Sequence, residues 1–299
     1  MRCRVAQIAS LYAAWLSICL QPVQAQQGDA SVPANSSCFS SPSSYEEEAS
    51  GPEIVIADLS FWGLGIQMPR SEQEQIATSI TKLTLGNSLD GVIDDALERV
   101  REAWQDRGYV QVRVEGEAKT LTSSPVSQRI ALSVHVEEGL QYSLREVTFK
   151  HNHLISSVEA LRQLFPIRDG EIASREKIAK GLENLKDVYG TRGYINFTSI
   201  PEPTFDDANR LVSFEVDIDE GKQFFVRQIN VVGLDESSKQ ELLKNIPLKR
   251  GQVYNFDLYR QLLSQEGLKL AQCGCDTALH LNYETGIVDF KLDFRQCPN

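Results

Sequence analysis

The sequence predicts an α+β fold. It reads as three tandem modules in the order β-α-α-β-β, each a three-stranded sheet covered by two helices. Three observations predict this. The stretch VEEGLQYSLREVTF (Val136–Phe149) returns 82 residues later as IDEGKQFFVRQINV (Ile218–Val231), with its acidic pair, glycine, aromatic and alternating apolar run in the same order. Two amphipathic helical patterns each end at a glycine–tyrosine step, Gly108-Tyr109 and Gly193-Tyr194. The glycines also keep a period: Gly86 precedes Gly108 by 22 residues, and Gly170 precedes Gly193, as Gly251 precedes Gly274, by 23. A supersecondary unit that recurs at fixed spacing indicates a serial array rather than one globule.

The N-terminal 52 residues do not share this pattern. Arg2 and Arg4 precede an apolar run from Ile8 to Leu20, 13 residues long, where a membrane-spanning helix takes about 20. Val23-Gln24-Ala25 then offers small residues at the positions a signal peptidase reads. Residues 1–25 are expected to be a secretory signal peptide cleaved near Ala25, so the protein is expected to be exported. Residues 26–52, rich in serine and proline with the acidic run Glu46–Glu48, read as a disordered linker. The rest has ordinary globular composition, enough for two or three domains. A formal charge of −11 without a basic cluster argues against nucleic acid and anionic membrane surfaces as partners.

Each unit justifies its elements in order. Unit one, residues 53–139, opens with IVIADLSFWGLG, followed by the short amphipathic SEQEQIATSITKL. Its long helix carries Leu89, Val92/Ile93, Ala96/Leu97, Val100 and Trp104 on one stripe. Ser88 is the N-cap candidate, and Gly108 supplies the left-handed residue that stops the helix. YVQVRVEG and RIALSVHVEEG are its last two strands. Unit two, residues 140–221, repeats the order with SSVEALRQLF and a helix bearing Ile178, Leu182, Leu185 and Tyr189 after Ser174. YINFTSI and RLVSFEVDIDEG follow. Unit three, residues 222–299, shows DESSKQELLKNI, then TALHLNY and GIVDFKLDF joined at Glu284-Thr285-Gly286. Only about two residues separate Gly139 and Gly221 from the strands that follow, so these glycines read as short hinges. The acidic pairs before them read as solvated strand ends.

No catalytic constellation, phosphate loop or dinucleotide fingerprint is present, and no cofactor or metal is expected. His151-x-His153 and Cys273-x-Cys275 would have to come together from different units to hold a metal, so turn histidines and a disulfide are the simpler reading. An oxidising compartment favours cysteine pairing. About the Thr285-Gly286 turn, position 275 faces about 296, so Cys275–Cys297 would staple the open end of the hairpin. Cys273 is the alternative partner two residues away, and Cys38–Cys273 is the second candidate pair. Free thiols are the remaining alternative.

Over roughly residues 53–297 the chain resembles a string of POTRA domains, the periplasmic modules of outer-membrane barrel-assembly and translocation proteins. The element order carries the resemblance. So do the Gly-Tyr steps, the EEG and DEG closes feeding Tyr142–Phe149 and Phe224–Val231, and the glycine in INVVGL (Ile229–Leu234). The chain departs from the family pattern at His151, which stands where unit two should have that glycine. It departs again in the looser opening of unit one, at Gly267 within a helix, and at the cysteines flanking Gly274. The family usually carries a C-terminal transmembrane barrel. No series of apolar-out strands follows unit three, so a soluble array or a piece of a longer protein is expected.

The resemblance implies a non-enzymatic scaffold or chaperone, peripheral to the membrane at most. Its partners would be unfolded outer-membrane protein segments, or an outer-membrane barrel or assembly subunit. It also implies that the second strand of a module is an edge open to strand addition. Here those positions are Tyr109, Val110, Gln111, Val112, Arg113 and Val114, and then Tyr194, Ile195, Asn196, Phe197 and Thr198, with TALHLNY as a third candidate. The alternative is an envelope docking spacer like the single modules of cell-division proteins.

Overall fold

The computed structural model describes residues 52–83, 85–86, 88–262 and 277–295. The expected leader, the expected linker up to residue 51 and all the cysteines lie outside them.

Three sheets follow one another along the chain. The first contains β1 (Glu53–Trp62), β2 (Leu85–Gly86), β3 (Arg113–Ser123) and β4 (Ser127–Glu137), in the order β2-β1-β4-β3. Helices α1 (Arg70–Leu83) and α2 (Leu89–Gln105) belong with it. The second contains β5 (Ser143–Lys150), β6 (Thr198–Asp206) and β7 (Leu211–Asp219), in the order β5-β7-β6, with α3 (Val158–Arg162) and α4 (Arg175–Gly190). The third contains β8 (Phe225–Val232), β9 (Thr277–Asn282) and β10 (Ile287–Asp293), in the order β8-β10-β9. Its helices are α5 (Glu236–Asn245) and a helical stretch over 256–262. The first sheet is thus four-stranded where three were expected, because Leu85–Gly86 pairs antiparallel with Ile54–Val55.

Every module places its last strand in the centre. The first strand pairs parallel to it and the second pairs antiparallel. Every first strand also carries one unpaired residue, at Ala57, Arg145 and Arg227. Such a bulge sharpens the local twist. Aligned on it, Gly63, His151 and Gly233 fall at one position. The looser opening of unit one therefore does contain the expected glycine, as Gly63. At His151 the backbone still adopts the left-handed conformation, with φ 62°, matching Gly233 at 89°. The His151 side chain lies 2.7 Å from Asp217 Oδ1 through Nδ1.

The helices form where caps and stripes predict. Ser88 Oγ accepts from Gly91 N–H at 3.4 Å and Ser174 Oγ accepts from Lys177 N–H at 3.2 Å. Val92, Ala96, Val100 and Trp104 are buried along α2, and Ile178, Leu182, Leu185 and Tyr189 along α4. Each module closes its own apolar core around these stripes and the inward residues of its sheet.

One core contact overrides helix propensity. Gly181 sits in the middle of α4, where alanine would ordinarily gain about 1 kcal/mol. A Cβ there would lie 2.1 Å from the ring of Phe165, which is buried. Gly181→Ala is therefore expected to destabilise by roughly 1–3 kcal/mol, since overpacking outweighs propensity. A lower denaturation midpoint would show it. An unchanged or raised midpoint would mean that Phe165 moves aside freely.

The β9–β10 register differs from the expected one by two residues. Leu292 pairs with Thr277 and Ile287 with Asn282, leaving a four-residue loop, 283–286. The expected alignment, 275 with 296, puts Leu292 opposite Leu279. The cysteine pairings themselves fall outside the described residues.

In this hairpin Asp293 is buried and paired. Arg295 Nε donates to it at 2.8 Å, and Lys291 Nζ lies 3.3 Å away. The Arg295 hydrogen bonds, foremost, pull its carboxyl down to about 2. A carboxyl whose folded pKa is depressed stabilises above its unfolded value near 4 and loses that contribution as pH falls toward 2. Asp293→Asn should therefore cost about 1–2 kcal/mol at neutral pH, since Arg295 is partly solvated. It should also flatten the acid limb of the stability curve between pH 4 and 2. Parallel stability curves for the two proteins would contradict this.

Candidate functional site

Two features are candidates for function: the free edges of the sheets and the joints between modules. The strands β3, β6 and β9 each lie at a sheet edge. Their starts correct the expectation. Tyr109–Val112 and Tyr194–Phe197 are not strand; β3 begins at Arg113 and β6 at Thr198.

The reason is local. After its left-handed glycine the chain turns back on itself, with Tyr109 N–H donating to Trp104 C=O and Val112 N–H to Tyr109 C=O. Tyr194 and Phe197 repeat this on Tyr189 and Tyr194. Tyr109 and Val112 pack into the first core, and Phe197 stacks on Tyr189 with ring centroids 4.3 Å apart. The alternating apolar residues that resemble a strand fill cores instead. Of the eleven expected edge residues, only Arg113, Val114 and Thr198 lie in the edge strands.

The two edges in modules one and two differ chemically. β3 runs for eleven residues without proline, and its residues from Glu117 onward are exposed. Arg113, Glu115, Glu117 and Lys119 alternate along one face. β6, TSIPEPTFD, holds Pro201 opposite Val216 and Pro203 opposite Phe214. A proline fits an edge strand only where its nitrogen faces away from the partner strand. Both therefore occupy outward positions, and two successive donors are missing from the free side of β6.

The joints are built twice to one plan. Tyr142 N–H donates to Gly108 C=O at 2.8 Å, and Phe224 N–H to Gly193 C=O at 2.8 Å. The Gln141 carboxamide donates to Arg107 C=O at 2.8 Å, and that of Gln223 to Arg192 C=O at 2.9 Å. Val110 leaves its own module to fill the second core, and Ile195 packs against the third. Gly108 (φ 86°) and Gly193 (φ 91°) take a conformation that favours glycine. A Cβ at 108 would lie 2.7 Å from Tyr142 C=O, and one at 193 would lie 3.0 Å from Phe224 C=O. The Gly-Tyr step therefore ends a helix and also receives the next module. The glutamines two residues after Gly139 and Gly221 were the available sequence signal for it. The hinge glycines have φ 71° and 66°, and Gly221 rests on the Asn196 carboxamide.

The acidic pairs are not simply solvated strand ends. Glu137 is exposed, but Glu138 is buried and accepts from Trp104 Nε1–H at 2.8 Å, Gln67 N–H at 2.6 Å and Met68 N–H at 3.2 Å. Its counterpart Glu220 accepts from Tyr189 O–H at 3.0 Å and Leu154 N–H at 2.7 Å. In the first two modules this carboxylate ties the end of the last strand to the loop after the first strand and to the aromatic near the end of the long helix. Burial, and next the Glu220 hydrogen bond, push the Tyr189 phenol up. Burial and the Asp207 hydrogen bond push Tyr142 up to about 12. Both phenols stay neutral donors at physiological pH. Among the described residues, no three His, Cys, Asp or Glu side chains cluster in a way that could hold a metal ion. No described helix is long and apolar enough to cross a membrane, which says nothing of strands.

Comparison with known proteins bears on the modules directly. The POTRA family model, described as a surface antigen variable number repeat, matches residues 142–221. A putative outer membrane protein assembly factor of Treponema pallidum is 26% identical over 208 residues, covering 69% of this chain and 25% of that protein. The outer membrane protein assembly factor BamA of Neisseria meningitidis is 21% identical over 217 residues, covering 67% of this chain and 26% of that protein. The chain thus spans about a quarter of the length of these relatives. Among solved structures, POTRA3-5 of Haemophilus influenzae BamA superposes with a TM-score of 0.57 at 22% identity, covering 82% of this chain and 98% of that one. That likeness concerns the fold.

Proposed function

We propose, from the premise that the chain is a tandem array of POTRA-like modules, that it serves as a non-catalytic periplasmic scaffold in outer-membrane protein assembly. It takes up extended polypeptide segments by strand addition at the free edge of β3. The relatives named as assembly factors supply the process. The observation that carries the mode is β3 itself, eleven residues at a sheet edge with no proline. An incoming strand bonds mainly to backbone, so affinity does not demand one sequence, which suits clients that share only extended, alternating segments. The same logic weighs against β6, whose outward donors are interrupted at Pro201 and Pro203. That interruption favours a spacing or docking role for the second module.

A photo-crosslinking residue placed at Glu117 on β3, or at Glu202 on β6, tests the reading with an unfolded outer-membrane barrel strand as client. Crosslinks are expected from 117 and few from 202. Equal yields from both, or none from either, would overturn it.

A further inference from the structure

The two joints share one plan but not one set of ties, and we propose that the array bends at its second joint while the first two modules move as one body. This does not rest on the client-binding reading above.

At the first joint Asp106, just past the end of α2, reaches across to the start of α4. Its Oδ1 accepts from Glu176 N–H at 2.6 Å and from Ser174 Oγ–H at 3.4 Å. One module thus helps to cap a helix of the next, where unpaired N–H groups favour a carboxylate. Beside it Arg175, 14% exposed, pairs at 2.8 Å with Glu102, 37% exposed. Tyr142 Oη, whose hydrogen goes to Asp207 at 2.7 Å, lies 3.2 Å from the Gln111 carboxamide across the joint, and Val110 is 4% exposed in the second core. Of these, Val110 and the Arg175 side chain are shielded and the Ser174 and Gln111 contacts are half-buried, while the Asp106–Glu176 bond lies at the surface.

At the second joint the polar counterparts stay within their own modules. Thr191 stands where Asp106 does, and its hydroxyl bonds back into its own helix, to Val188 C=O at 2.9 Å. Asn255, the counterpart of Ser174, caps within its own module, accepting from Asp257 N–H at 2.9 Å and Leu258 N–H at 3.1 Å. Phe256 replaces Arg175 and lies against Gly190. Among the described residues an ion pair spans this joint, Arg260 with Asp187 at 2.5 Å, 49% and 38% exposed, with the Arg260 guanidinium 4.2 Å over the Phe256 ring. Pairs that open to solvent restrain little. Ile195 is only partly buried against the third core. Among the described residues, the second joint keeps the glycine and glutamine bonds without the cross-module cap.

Pulsed electron–electron distance measurements on the full chain decide this. Spin labels carried on non-natural amino acids at Glu74, Glu183 and Glu241 leave the native cysteines alone. The 74–183 distribution is expected to be narrow, and the 183–241 distribution at least twofold wider. Asp106→Ala should widen 74–183 severalfold while circular dichroism stays unchanged. A 74–183 distribution as wide as 183–241 in the parent protein would overturn the proposal. So would an Asp106→Ala protein whose 74–183 width matches the parent.

Discussion

Glu138→Ala should destabilise the first module by roughly 3–5 kcal/mol, the largest effect expected of any single side chain described above. The carboxylate is 6% exposed and satisfies three donors, two of them fully buried. Removing it leaves Trp104 Nε1–H and two backbone N–H groups facing a cavity, and each such orphan costs about 1–3 kcal/mol. Water entering the cavity recovers part of that, so the simple sum is an upper bound. Against a total stability of about 5–15 kcal/mol for a single domain, the module would become marginal. The fluorescence of Trp62 and Trp104, both in this module, follows its unfolding in denaturant. Glu137→Ala is the internal control: that side chain is exposed and its pair with Arg113 is long, at 3.8 Å, so a change within about 0.5 kcal/mol is expected. Similar shifts for the two variants would show that the buried carboxylate does not tie the module together. Glu220→Ala should fall between them, because the Leu154 N–H it bonds is exposed and can turn to water.

Gly108→Ala should cost about 2–4 kcal/mol and open the first joint. An L-residue in the left-handed region costs about 1–2 kcal/mol. The rest comes from contact, because the new Cβ would meet Tyr142 C=O at 2.7 Å and Ile172 at 2.8 Å. The carbonyl is backbone of the next module, so relief requires the modules to part. The Tyr142 amide, which bonds Gly108 C=O, should then exchange its hydrogen much faster. Gly139→Ala separates strain from contact. Its φ is 71° but the nearest atom lies 3.9 Å away, so it should lose only about 1 kcal/mol and leave the Tyr142 amide protected. Equal losses at 108 and 139, with equal protection, would remove the joint from the explanation.

Much of this was legible in the order of residues. The recurring VEEGLQYS and IDEGKQFF stretches, the serine caps at 88 and 174 and the glycines at 108 and 193 mark modules and helix ends, because capping and left-handed turns depend on a few neighbouring residues. The candidate site was less legible. YVQVRV and YINF alternate like strands, yet their first four residues fold into turns that fill two different cores. A period of two records alternate burial without naming what does the burying. The double proline in TSIPEPTFD was visible as a sequence feature, but its effect depended on β6 lying at an edge with one side unpaired.

The sequence by itself determined the repeat, the main helices and strands and the glycines that end the helices, since these follow from periodicity, capping and left-handed backbone within about twenty residues. Only the tertiary structure decided that Glu138 faces inward while Glu137 faces water, and that Val110 and Ile195 belong to the core of the following module. It alone also showed that Asp106, and not Thr191, reaches across a joint. Each of these is a contact between residues roughly 30 to 70 positions apart. The partner a loop residue meets at that distance is set by how modules dock, and local pattern carries no record of it.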